Sequence, residues 1–205
     1  LCGGRVCACA NGVDDDDDGA IDGFDGECTS AFDDDESSFS TGRAGDNRDP
    51  FCQDCFFDGN SGTGDDGCRY PTQCLISGSS APMDPCGTCT VTDDCVDSCE
   101  ALTPNGCDCF GCCSVQLEGG TIDVALGPRC SLADLDDPEA CPRCVRSTQC
   151  HNPCGRCELC AGRSPADLPA DCEQVECETG PRCDSSGDCA PNSYCQQGCC
   201  LASLI

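Results

Sequence analysis

Apolar residues are sparse along this chain, and one stretch alone arranges them with a clear strand period. Val115, Leu117, Ile122, Val124 and Leu126 alternate with other residues across 114–118 and 121–126, on either side of Gly119-Gly120. Alternation places every second side chain on one face, and paired glycines supply the backbone freedom of a tight turn, so the pattern predicts a β-hairpin. A helix is predicted after Thr92. That residue can cap the first turn, Asp93 and Asp94 suit its positive end, and Cys95 and Cys99 lie four apart on one face. Ser131 opens a second, shorter helical candidate in SLADL. Elsewhere neither period is visible, so most of the chain is expected to be turns held by sulfur. No unit of fixed length recurs, and a solenoid is not expected.

Composition explains why regular elements are few. Leu, Ile, Val and Phe total 30 of 205 residues, and the formal net charge is -28. Such a chain cannot offset its backbone entropy by burying apolar surface. The 30 cysteines can do so instead, since an even number allows 15 disulfides at about 2–4 kcal/mol each. The expected fold is therefore small and disulfide-rich, mostly irregular, with the hairpin over 114–126, short helices and little hydrophobic core. Cysteine density of this order belongs to an oxidising compartment, so an extracellular or cell-surface protein is expected. The sequence begins at Leu1 and contains no apolar run near 18 residues, from which a removed signal peptide and no membrane span are expected. With ten Arg and no Lys, it lacks the cationic patches that nucleic acids and anionic membranes require. Divalent cations are the natural counter-ions.

Three modules are expected. Residues 1–76 form an acidic module, with 18 of the 38 acidic residues falling before position 75. Residues 77–85, SGSSAPMDP, read as a linker or exposed loop opening a second module that runs to 130. In that module Cys107 and Cys109 are two apart, as on one side of a strand, and match the helical spacing of Cys95 and Cys99. Two parallel bridges would staple the helix to the strand, an arrangement that resembles the cysteine-stabilised helix and strand of small secreted toxins and defensins. Residues 131–205 form a cysteine-dense module. Its last part, from Cys183 to Cys200, resembles half of a whey-acidic-type inhibitor knot. The apolar end, Leu201 to Ile205, is expected either to dock on a neighbouring subunit or to fold back on its own body.

The most specific chemistry lies at residues 14–25, DDDDDGAIDGFD. A twelve-residue calcium loop takes oxygens from its first, third, fifth, ninth and twelfth residues, a carbonyl from the seventh, and glycine at the sixth. Those places hold Asp14, Asp16, Asp18, Asp22, Asp25, Ala20 and Gly19, with Ile21 at the eighth expected to pin the loop to a neighbouring surface. Asp25 replaces the usual Glu, which shortens the last ligand. Cys9 and Cys28 bracket the loop, so a bridge between them, or from each to a common partner, would close it. Asp33, Asp34, Asp35 and Glu36 read as a solvated acidic cluster within reach of the loop. Asp58, Asn60, Asp65 and Asp66, in the glycine-rich DGNSGTGDDG, are candidates for a second calcium.

Five strings taken together, NGVDDDDDGAIDGFDGEC, CQDCFFDGNSGTGDDGC, LTPNGCDCFGCC, CGRCELCAGR followed by LPADC, and YCQQGCC, resemble a group of cysteine-rich secreted proteins of myxobacteria and their relatives. That group supplies no activity to carry over. The first string is also similar to the calcium loops of thrombospondin type 3 repeats, which implies ligation by Asp14, Asp16, Asp18, Asp22 and Asp25. Asp17 departs from that pattern, where glycine is common, and adds strain at a turn.

Six CxxC motifs raise the alternative of zinc, above all CPRC at 141–144 with CGRC at 154–157. The oxidising setting and the cysteine excess favour bridges. One histidine, His151, no Lys and no nucleophile motif give no basis for a catalytic triad, and no enzyme is expected. The expected function is a secreted, calcium-binding, disulfide-stabilised structural protein, a self-assembling subunit of an extracellular fibre, coat or appendage. A calcium-dependent adhesion module and a secreted protease inhibitor are the alternatives.

Overall fold

A computed structural model describes residues 2–42, 51–58, 67–77, 86–117, 119–161, 163, 165–172, 175–177 and 180–202. Among these, regular structure consists of three antiparallel strand pairs, two short α-helices and six single-turn 3-10 helices, one of them Leu132–Asp134 after Ser131, joined by turns. β1 (Cys52–Gln53) pairs with β2 (Tyr70–Pro71), which leads into α1 (Thr72–Leu75). α2 (Asp93–Cys99) starts where expected, the Thr92 hydroxyl accepting the Cys95 N–H at 3.3 Å. The predicted hairpin is formed by β3 (Cys112–Leu117) and β4 (Gly120–Ala125). Its register pairs Leu117 with Gly120, so the second glycine of the pair belongs to β4. At the base, Cys112, Cys113, Val124 and Ala125 are all fully buried, whereas Leu117 near the tip is exposed.

A third hairpin, β5 (Ser193–Gln196) with β6 (Cys199–Ala202), has no counterpart in the sequence reading. Its two turn residues, Gln197 and Gly198, both take positive φ (53° and 80°), as a tight turn matching the strand twist requires. In β6 Leu201 is buried and pairs with Tyr194. This much of the apolar end folds back on its own chain, and 203–205 lie outside the described residues.

The core is small. Phe39, Phe56, Leu75, Phe110, Val115, Val124 and Leu126 interleave with buried cystines, and Tyr70 stacks on Phe110 with ring centroids 4.2 Å apart. Gly111 makes this packing possible, because a methyl group there would lie 2.6 Å from the Phe56 ring.

All 30 cysteines are bridged. The expected staple is not formed. Cys95 and Cys99 of α2 reach back to Cys68 and Cys55, while Cys107 pairs with Cys113 and Cys109 with Cys150. Matching periods show that two pairs of sulfurs could meet, but chain topology decides which ones do. Cys52–Cys86, Cys55–Cys99, Cys68–Cys95 and Cys74–Cys89 join residues across position 76, and Cys109–Cys150, Cys112–Cys144 and Cys130–Cys141 across position 130. No bridge crosses 29–51.

Residues 2–42 are therefore tied to the rest without sulfur. Phe39 enters the core and donates its N–H to the Cys130 carbonyl at 2.8 Å. The turn Asp22–Phe24 seats against β5, where the Gln197 N–H reaches the Gly23 carbonyl at 2.6 Å and Gln196 Nε2 reaches the Cys28 carbonyl at 2.8 Å. Leu132 donates its N–H to Glu27 Oε1 at 2.9 Å.

Candidate metal centre

The acidic loop is built from carboxylates that cap their own backbone. Asp14 Oδ2 accepts from Gly19 N–H at 3.0 Å, Asp16 Oδ1 from Asp18 at 3.1 Å, Asp18 Oδ1 from Ala20 at 2.7 Å and Asp25 Oδ1 from Glu27 at 2.7 Å. Each aspartate thus spends one oxygen on a tight turn. Gly19 takes φ +98°, the freedom its position demands, while Asp17 takes φ +65°, the strain anticipated for a non-glycine there. Cys9 and Cys28 bridge directly and close the loop.

Two groups of carboxylates converge. One oxygen each from Asp14, Asp16 and Asp18 lie within 4.8 Å of one another, and so do one each from Asp18, Asp25 and Glu27. Asp18 belongs to both. Asp25 is fully buried, and its Oδ2, like Asp14 Oδ1, has no hydrogen-bond partner. Burial raises the Asp25 carboxyl to about 7, against the pull of the Glu27 N–H and with added repulsion from Asp18, Glu27 and Asp16. Glu27 is raised first by burial, against the Leu132 N–H, and Asp16 is also raised first by burial.

Other residues of the loop stand outside these groups. Asp22 is not part of either group: it takes φ +51° and turns both carboxylate oxygens to the Gly12 N–H at 3.0 Å. Ile21 does not pin the loop, since it is 42% exposed. The Ala20 N–H donates to Asp18 Oδ1. Asp22 lies in the Asp22–Phe24 turn, which docks on β5, and Ile21 directly precedes it.

Nor is the second acidic cluster solvated. Asp33 is fully buried and Glu36 nearly so. Glu36 accepts from Asp15 N–H at 2.7 Å and Asp22 N–H at 2.8 Å, so it braces the loop from behind. Asp33 accepts from Thr29 N–H and Oγ1 and from Asp35 N–H, and Asp34 from Ala8 N–H and the Arg5 guanidinium. Sequence reasoning missed Glu27 because it lies two residues beyond the loop template. Its position directly before Cys28, the closing cysteine, was the available signal.

Of the other candidate calcium ligands, Asp58 is among the described residues and has a bonding partner. Asn60, Asp65 and Asp66 lie outside the described residues. The zinc alternative has no thiolates to use: Cys141, Cys144, Cys154 and Cys157 bridge to Cys130, Cys112, Cys160 and Cys172. No protein-family model, curated protein or solved structure matches this chain significantly.

Proposed function

We propose that the protein is a secreted calcium-binding structural protein, its acidic module made rigid by the ion and many copies of it assembled into an extracellular fibre, coat or appendage. The observation that carries the calcium reading is Asp25. A fully buried carboxylate with one oxygen lacking any donor is costly, and a cation at that oxygen removes the cost. The donors around it are all oxygens, which selects a hard cation over zinc or copper. Oxygens arriving from an irregular loop suit calcium's flexible coordination better than magnesium's strict octahedron.

The extracellular setting is supported by the 15 disulfides and by the absence, among the described residues, of a helix long and apolar enough to cross a membrane. Assembly is supported by exposed apolar side chains on a polyanion. Val6, Val13 and Ile21 are each 42–53% exposed on the acidic module. Copies carrying net charge -28 approach one another through such residues when divalent cations lower the repulsion.

Calorimetry tests the metal: calcium binds at roughly 10⁻⁴–10⁻³ M or somewhat tighter, the range of extracellular modules. Asp16→Ala combined with Asp18→Ala removes that binding, and an unchanged isotherm refutes the assignment. Sedimentation in calcium and in chelator tests assembly. A monomer that persists at high concentration in calcium refutes the structural role while leaving the metal site standing.

A further inference from the structure

We infer that Glu27 is a metal-facing carboxylate outside the twelve-residue loop, and that an ion held by Asp18, Asp25 and Glu27 clasps the acidic module to the body of the protein. This inference rests on the calcium reading above and adds to it a residue and a consequence. The group is more than an acidic cluster, because its member Asp25 is fully buried and carries an oxygen, Oδ2, with no hydrogen-bond partner.

Glu27 stands at a junction. One of its oxygens lies within 4.8 Å of oxygens of Asp18 and Asp25, and its Oε1 accepts the N–H of Leu132, 105 residues away in sequence. Leu132 follows Cys130, which is bridged to Cys141 and is therefore fixed to the sulfur-bound body. No disulfide makes that connection, since none crosses 29–51.

Consider the site with and without a cation. Without one, three carboxylates, two of them buried, repel at close range, and the least constrained is relieved by moving outward. Glu27 is the longest of the three and sits at the interface, so its movement costs the Leu132 hydrogen bond. With calcium bound, the same repulsion becomes attraction, Glu27 is drawn inward, and Oε1 is presented to Leu132. Ion occupancy and docking then share one free energy, and each strengthens the other.

Hydrogen exchange on the full chain, with calcium and with chelator, tests this directly. Calcium at about 100 times its Kd slows exchange of the Leu132 amide by up to about 100-fold. Glu27→Gln keeps an oxygen for Leu132 but loses the charge. It lowers calcium affinity at least about tenfold, and the Leu132 amide no longer responds to calcium. If wild type binds calcium but Leu132 exchanges equally fast in chelator, or if Glu27→Gln retains wild-type affinity, the clasp is overturned and the loop site stands. If wild type takes up no calcium, both readings fall. The wild-type comparison needs no variant, so a substitution that fails to fold does not obscure the outcome.

Discussion

Replacing Gly23 by alanine sends a methyl group into the backbone of the hairpin opposite. An ideal Cβ at this position overlaps the carbonyl oxygen of Cys195, with the carbonyl carbon 2.8 Å and Gln196 Cα 3.0 Å away. Gly23 does not have a left-handed φ, so the effect is steric alone. The hairpin cannot yield, because Cys195, Cys199 and Cys200 are bridged to Cys183, Cys177 and Cys189. The turn Asp22–Phe24 must retreat instead. It then loses both the Gln197 N–H bond to the Gly23 carbonyl and the Gln196 Nε2 bond to the Cys28 carbonyl. Each buried bond broken with a donor left unpaired costs about 1–3 kcal/mol, so two give about 4 kcal/mol in docking free energy. That corresponds to roughly a thousandfold rise in opening, read as faster exchange at the Gln197 amide. Calcium affinity falls as well, because Asp25 and Glu27 follow the displaced turn. Gly187→Ala is the control, since its Cβ meets only Ser185 Oγ at 3.4 Å. Wild-type exchange at Gln197 together with wild-type calcium affinity in Gly23→Ala refutes the docking described here.

Two further predictions concern buried acids. Asp108 is fully buried, with Oδ1 accepting from Phe110 and Cys112 and Oδ2 from Ser147. Asp108→Asn sets an amide against at least one of those N–H groups and costs about 1–3 kcal/mol in denaturant unfolding with the bridges intact; a change below about 0.5 kcal/mol contradicts it. Burial raises Asp33 from 3.8 to about 7 and Asp108 from 3.8 to about 6, so the calcium-free native state binds more protons than the unfolded chain between those limits. Stability therefore falls as pH rises through that window, by at most ~4 kcal/mol for Asp33. The fall persists at high salt, which separates it from general self-repulsion; a pH-independent or opposite trend at high salt contradicts it.

What was legible in the sequence was local. Alternation at Val115, Leu117, Ile122 and Val124 produced a hairpin, and Thr92 capped a helix over 93–99, because each depends on neighbours within a few residues. Asp14, Asp16, Asp18 and Asp25, picked out by spacing, all lie in the two converging groups for the same reason. Asp22 stands apart from those groups and Ile21 is exposed in a turn that docks on a segment far along the chain, and Glu27 was missed because its partner is Leu132. The hairpin at 193–202 was hidden by composition. Cysteine and glutamine carry no apolar period, and Gln197 takes a positive φ that side chain rarely adopts. Disulfide pairing fared worst, since spacing restricts which sulfurs can meet without choosing among them.

The acidity of residues 2–42 follows from how this module satisfies its backbone. Among its described residues there are no paired strands and no α-helix, so amide groups cannot rely on a ladder. Carboxylates take that role: Asp14, Asp16, Asp18, Asp22, Asp25, Asp33, Asp34, Asp35 and Glu36 each accept at least one main-chain N–H. A carboxylate can accept several donors at once and in many directions, which suits irregular turns better than an amide or hydroxyl. The consequence is accumulated charge in a part of the chain that has only the bridges Cys2–Cys7 and Cys9–Cys28. More sulfur would restrict the unfolded chain but would leave the repulsion untouched. A divalent cation acts on the repulsion itself, and so the module with the least sulfur is the one where a bound ion contributes most.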